Sequence, residues 1–159
     1  AGDLQIFGSD HCSFNFHGQN ELGRDDFTAI PNGLPGLEER PAVLWTEGVR
    51  GGHISEQLFV AVLSTNQARV HGMVGRKGAI APGKDADIVV FDPGASRPYG
   101  VETSLMNVDY DLYEGEVASG SVRHTYSRGT LVYDRGEIRT APGHGRFVAR
   151  SQVAAAVAA

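Results

Sequence analysis

The chain has 159 residues, of which 41% are hydrophobic and 21% charged, and a formal net charge of −5. That composition belongs to a globular protein of about one domain, and the acidic balance, without any run of Lys or Arg, argues against a phosphate-binding nucleic-acid surface. The longest apolar run, residues 58–63, falls well short of the roughly 18–20 residues of a membrane span, so neither nucleic acid nor membrane is an expected partner.

In chain order, Leu4, Ile6 and Phe7 lead into Gly8-Ser9-Asp10 and read as a short buried strand ending at a polar cluster. A chain that opens at Ala1, inside such a run, reads as part of something longer, and residues 1–7 lack the basic n-region of a signal peptide. Residues 13–41 form a long loop punctuated by Gly18, Gly23, Pro31, Gly33, Pro35 and Gly36. Loops of that length inside a compact domain tend to be functional. Residues 43–49 look helical. Ser55 is placed to cap a helix carrying Leu58, Phe59, Val62 and Leu63. Ser64 or Thr65 could cap another over 67–71, closed by Gly72.

Beyond Gly75 the pattern turns to β. Residues 79–83 predict a strand and turn, and 86–93 a strong strand. Two further strands follow at 122–126 and 130–133, and Asp134-Arg135-Gly136 is a hairpin turn leading into Glu137-Ile138-Arg139. The Ala-rich tail, residues 151–159, suggests a frayed helix or disorder. No internal repeat is present. Cys12 is the only cysteine, so no internal disulfide can form, which suits a reducing cytoplasm.

Asp10 is the first residue that could carry chemistry. A carboxylate at the C-terminal end of a barrel strand can hold a divalent metal or act as a base, although locally a turn-capping Asp is the commoner reading. His11 and Cys12 could also be ligands, but successive strand residues face opposite ways, so a structural His11 and a buried, inert Cys12 are favoured. None of the six histidines (11, 17, 53, 71, 124 and 144) has the spacing of a metal motif. A complete metal site therefore cannot be written from this chain. Asp85 and Asp87 are read as turn residues. Gly143-His144-Gly145-Arg146 has no strand–loop–helix context and is a weak phosphate cradle. Asn32 lies between Pro31 and Gly33 in a loop stiff enough to present backbone groups to a ligand, or in a plain turn.

These residues resemble a known family. The stretch Ser9-Asp10-His11-Cys12-Ser13-Phe14-Asn15-Phe16 is followed by Gly18-Gln19, Glu21-Leu22-Gly23, Asp26-Phe27 and Ile30-Pro31-Asn32-Gly33. Together they are similar to the last barrel strand and following loop of D-hydantoinases and dihydropyrimidinases. Glu38-Glu39-Arg40, Ser64-Thr65-Asn66, Arg76-Lys77-Gly78, residues 83–93, Asn107-Val108-Asp109-Tyr110, Tyr113-Glu114-Gly115 and Gly145-Arg146-Phe147 continue the likeness in order. It covers about residues 3–150. The Gly-x-Asp-Ala-Asp strand is shared across the wider amidohydrolase superfamily and is less specific.

The resemblance implies an α/β plus β protein, with the last strand and helices of a (β/α)₈ barrel followed by part of a small β-sandwich. The expected divisions are 1–75 for the end of the barrel, 76–140 for the sandwich strands and 141–159 for the tail. It also implies two divalent metal ions, usually zinc, bridged by a carboxylated lysine and a hydroxide, with four histidines and one aspartate as the other ligands. Only the aspartate has a counterpart here, Asp10, which would also serve as general base and then acid. Asn32 would pair with the cyclic amide of the substrate through its backbone. Expected partners are a small cyclic amide, the missing N-terminal part of the same enzyme and further copies in a dimer or tetramer. The chain alone should be inert, with apolar surface on Leu4, Ile6, Leu58 and Phe59 lacking partners. The alternatives are a non-catalytic dihydropyrimidinase-related scaffold and an allantoinase.

Overall fold

A computed structural model describes residues 3–151. Its β-rich half is one four-stranded antiparallel sheet in the order β1 (Ile88–Pro98), β2 (Val117–Ser127), β3 (Thr130–Asp134) and β4 (Glu137–Ile138). The turns explain the meander. Arg128-Gly129 and Arg135-Gly136 both take positive φ, 49° and 78° for the first pair and 48° and 99° for the second, as two-residue hairpin loops that follow the twist of their strands require. The β1–β2 register is irregular between Val90 and Phe91 and again between Asp92 and Ser96.

The helical half begins with α1 (Arg40–Val43), which runs directly into a π-helical segment, Leu44–Arg50. Ser55 accepts from the Leu58 N–H (3.2 Å) and starts α2 (Glu56–Val60) as expected. The second expected cap does not form. Helical backbone continues without a break through the π-helical Ala61–Thr65 into α3 (Asn66–Val70), and the Thr65 hydroxyl donates to the Gly78 carbonyl instead (2.8 Å). Gly72, at φ 66°, closes α3 with paired bonds from Met73 to Ala68 and from Gly72 to Arg69. Among the described residues no helix is long and apolar enough to cross a membrane.

Two other expectations need correction. Residues 79–83 make turns, not a strand: Gly78 and Gly83 have φ of 80° and 84°, and Ile80 is 81% exposed. The segment over residues 4–9 joins no ladder, and Leu4 is 86% exposed. A strand exists only through its neighbours, and the described residues supply none there. The expectation for the Ala-rich tail lies outside the described residues, except at Ser151.

The two halves meet at an aromatic triangle. Trp45 and Phe59 from the helical side and Phe91 from β1 stand with ring centroids 5.2–5.5 Å apart. Phe59 is thus buried by partners within the chain, contrary to expectation, whereas Leu58 stays exposed. Thr46 adds a polar link: its hydroxyl donates to Ala42 (2.8 Å) and accepts from the Ser119 N–H of β2 (2.9 Å). Gly120 passes beneath the rings at φ 83°. A Cβ there would lie 2.6 Å from Phe91 Cζ and 2.8 Å from Trp45 Cδ1.

A second junction confirms the structural reading of the aspartate pair. Lys77 bridges Asp85 (2.8 Å) and Asp87, Arg76 adds a bond to Asp85 (2.9 Å), and Asp87 accepts from the Arg128 N–H (2.7 Å). Lys77 and Arg76 hold the Asp85 carboxyl below the usual carboxylate range.

Two outcomes follow. Gly120→Ala should cost about 2 kcal/mol or more, from overpacking plus left-handed strain, read as a lower urea midpoint at unchanged m-value. Gly136→Ala, left-handed but in open space, should cost about 1 kcal/mol; equal losses would show that the triangle tolerates a methyl group. Because its folded pKa is depressed, Asp85 contributes stability above the ordinary carboxylate pKa of about 3.9. That contribution disappears as pH falls through the lowered value. Asp85→Asn should therefore lower Tm near neutrality and flatten its decline below about pH 4, and a decline as steep as the parent's would exclude this role.

Candidate functional site

The segment before Asp10 is held by backbone and side-chain groups of the helices. The Phe7 N–H donates to Val62 in the π-helical turn (3.2 Å), and the Phe7 carbonyl accepts from Gln67 Nε2 (3.0 Å) and Arg40 Nη1 (3.3 Å). Asn66 Nδ2 donates to the Gln5 carbonyl (2.8 Å). A π-helical turn leaves carbonyls free for such partners and recurs at functional sites.

This anchorage ends at a strained residue. Asp10 has φ 47°, and among the described residues the other non-glycine positions with positive φ are Arg128 and Arg135, both explained by their hairpins. Left-handed backbone costs a non-glycine residue about 1–2 kcal/mol, a type of strain that clusters at functional sites. The Asp10 side chain is exposed and has no hydrogen-bond or ion-pair partner among the described residues, so it is not the turn cap that local pattern favoured. His11 is half-buried, with its N–H on Ser9 Oγ (3.3 Å) and its Nδ1 buried without a partner. Cys12 was expected to be buried but is exposed. Gly33 packs closely against it.

That glycine lets the two segments that carry the candidate residues meet. The Cys12 N–H donates to the Leu34 carbonyl (3.2 Å), and a Cβ on Gly33 would stand 2.7 Å from Cys12 Cβ and 3.0 Å from Sγ. Asp10 and Asn32 each lie two residues before this bridge. Asn32 is exposed at the tip of a three-residue turn in which the Gly33 N–H donates to Pro31 (3.1 Å). Gly33 itself does not have positive φ. Its need for glycine comes from close approach.

The intervening loop carries short 3₁₀ turns at Asn20–Gly23 and Phe27–Ala29, the second capped by Asp26 through the Thr28 N–H (2.9 Å). It is held from the β-rich half by residues to which sequence reasoning gave no role. Asp109 accepts from the Phe16 N–H (2.5 Å) and the His17 N–H (3.0 Å). Tyr110 receives Asn20 Nδ2 on its hydroxyl (3.2 Å) and sets its ring 6.2 Å from that of Phe16. Desolvation works against the Asp109 charge, yet the two N–H groups prevail and its carboxyl lies below the ordinary range. Only the motif at 107–110 signalled these residues in the sequence, because a contact across 93 positions leaves no local pattern.

Other candidates are less suited to chemistry. A largely apolar cavity of about 540 Å³ lies against α1 and the sheet, lined by Leu37, Glu39, Tyr99, Asp111, Val132 and Tyr133 among others, without Asp10 or Asn32. Burial pushes the Glu39 carboxyl up and the Tyr99 hydroxyl up to about 12. The Gly143–Arg146 stretch adopts no helix, and His144 gives its carbonyl to Arg128 (2.6 Å). Among the described residues no three His, Cys, Asp or Glu side chains stand close enough to hold a metal.

The bridge can be tested by amide exchange. Gly33→Ala should raise exchange at Cys12 by up to about tenfold, the effect of one lost backbone hydrogen bond. Asn32→Ala should leave it nearly unchanged, because that side chain is exposed. A larger effect from Asn32→Ala would refute the close-approach account.

The sequence profile of the Amidohydrolase family matches residues 1–132. The chain is 46% identical to the dihydropyrimidinase of Rattus norvegicus over 153 residues, covering 96% of this chain and 29% of that protein. It is 45% identical to the D-hydantoinase of Geobacillus stearothermophilus over 157 residues, covering 99% of this chain and 33% of that one. The crystal structure of dihydropyrimidinase from Brevibacillus agri NCHU1002 superposes with a TM-score of 0.93 at 52% identity, covering 96% of this chain and 33% of that one. The chain thus spans about a third of the length of the relatives it matches. With its profile match running from the Asp10 segment through β1 and β2 into β3, the chain belongs to the amidohydrolase family.

Proposed function

We propose that the chain forms the Asp10 and Asn32 portion of the active site of a metal-dependent hydrolase that opens cyclic amides such as hydantoins and dihydropyrimidines. The rest of the site would come from the remainder of a hydantoinase-length protein. The observation that carries this reading is Asp10: a strained backbone, an exposed unpartnered carboxylate and the adjoining Asn32 turn. The names of the similar proteins supply the substrate class.

On this reading the segment ending at Asp10 is the last strand of a (β/α)₈ barrel, α1–α3 are barrel helices, and β1–β4 belong to a small β-sandwich. Exposure of Leu4, at 86%, and of Ile138, at 63%, leaves apolar surface for the rest of such a protein to cover. A cytoplasmic setting and assembly into a dimer or tetramer belong to the same reading.

Two divalent ions, with zinc the expected metal, fit this chain only in part, since Asp10 is the one ligand it would supply and no cluster of His, Cys, Asp or Glu stands ready for a metal among the described residues. Bound there, such ions supply Lewis acidity toward the ring carbonyl and acidify water. Asp10 would hold one ion through a carboxylate oxygen. It would take up the proton released by the attacking water and pass it to the ring nitrogen as the C–N bond breaks. Asn32 would present its backbone N–H and C=O to the ring amide and fix which carbonyl faces Asp10.

The test uses a protein that carries these residues within a complete hydantoinase-length chain. Asp10→Asn should lower kcat for hydantoin or dihydrouracil by at least about 100-fold, the scale of general acid–base catalysis, with lower metal content and little change in Tm. His11→Asn should cost far less once corrected for folded fraction. Near-normal turnover with full metal in Asp10→Asn would remove Asp10 from the chemistry. A parent protein that neither binds metal nor turns over either ring would favour the scaffold alternative. The 159-residue chain alone should show no turnover above a metal-only blank.

A further inference from the structure

We propose that Asp109 is a positioning residue for substrate, a clamp in the β-rich half that sets the loop between Asp10 and Asn32. The proposal rests on the functional reading above and adds to it a residue far away in sequence.

The geometry is specific. Both carboxylate oxygens of Asp109 are used, Oδ1 by the Phe16 N–H (2.5 Å) and Oδ2 by the His17 N–H (3.0 Å). Two successive backbone donors converging on one carboxylate fix the direction of the chain there, and bonds to a charged acceptor are stronger than neutral ones. Tyr110 holds the same stretch through Asn20 and through the Phe16 ring. The fixed stretch is then carried into the turn that follows. Asn20 and Glu21 donate to the carbonyls of Asn15 and Phe16 (both 3.1 Å), and the Gly18 N–H reaches Glu21 Oε2 (3.1 Å).

From there the chain passes to the substrate turn. Gly23 lies so close to Ile30 that a Cβ would meet Ile30 Cβ at 3.2 Å, and Pro31-Asn32-Gly33 follow directly. The loop is thus pinned at its base by the Cys12–Leu34 bond and at its outer turn by Asp109. The base bond alone leaves some twenty residues of loop to be ordered, and ordering each backbone costs conformational entropy. An anchored outer turn limits the positions open to Asn32 before substrate arrives, so ligand binding is where its loss should appear.

Two experiments test this. In the 159-residue chain, amide exchange at Phe16 and His17 should rise about tenfold or more in Asp109→Ala, the loss expected for a charge-assisted hydrogen bond. Asp109→Asn keeps one accepting oxygen and should fall between Asp109→Ala and the parent. Asp134→Asn, which removes a carboxylate of β3 paired with His124 and Arg139, should leave both amides unchanged. In a hydantoinase-length protein, Asp109→Ala should raise KM about tenfold with little change in kcat or metal content, the pattern of lost substrate binding.

Unchanged exchange at Phe16 and His17 would overturn the clamp. Faster exchange with an unchanged KM would show that the clamp does not serve substrate. A loss that follows folded fraction, with kcat and KM otherwise intact, would reduce Asp109 to a stabilising residue. None of these outcomes depends on Asp10. Failure of the catalytic reading appears as retained turnover in Asp10→Asn, with the exchange result unaffected.

Discussion

The Trp45–Phe59–Phe91 triangle is the contact on which the rest of the structure depends. It joins the helices to the sheet, and each ring pair contributes about 0.5–1.5 kcal/mol beyond the area it buries. Its geometry requires Gly120 beneath it, in a left-handed conformation with no space for a methyl group. The helices so placed then do a second job. Arg40 in α1 and Asn66 and Gln67 in α3 reach out to the carbonyls of Gln5 and Phe7 and hold the segment that ends at Asp10.

The candidate site gathers three distant stretches of chain. Residues 5–12 bring Asp10, residues 31–34 bring the Asn32 turn, and residues 109–110 hold the loop between them. The first two stretches meet through a glycine, because only a residue without a side chain lets Cys12 and the loop approach so closely. On the proposed reading, this bridge sets the Asp10 carboxylate and the backbone groups of the Asn32 turn to serve one flat cyclic amide.

Much of this could be read from the sequence where the signal is local. The Ser55 cap, the Gly72 stop, the Arg135-Gly136 hairpin and the four-strand run follow from turn chemistry and residue periodicity. The resemblance named Asp10 and Asn32 as site residues, and the bond from the Cys12 N–H to the Leu34 carbonyl joins the two segments that carry them. Contacts between distant residues were not legible. Thr65 looked like a cap because nothing in the sequence announces the Gly78 carbonyl that its hydroxyl meets. Ala79 and Ile80 looked like a strand because apolar content says nothing about a missing neighbour. Asp109 stands out in the sequence only as part of its motif, since its partners lie far away at Phe16 and His17.

The central claim is that Asp10 and the Asn32 turn face the same reacting ring. A crystal structure of a hydantoinase-length protein containing these residues, with metal and a non-hydrolysable cyclic imide bound, tests it most directly. The account predicts an Asp10 carboxylate oxygen about 2.0–2.2 Å from a metal ion. It also predicts the Asn32 backbone N–H and C=O on the ring amide at ordinary hydrogen-bond distances of about 2.7–3.2 Å. A ring bound away from Asn32, or a metal centre that leaves Asp10 uncoordinated, would contradict it.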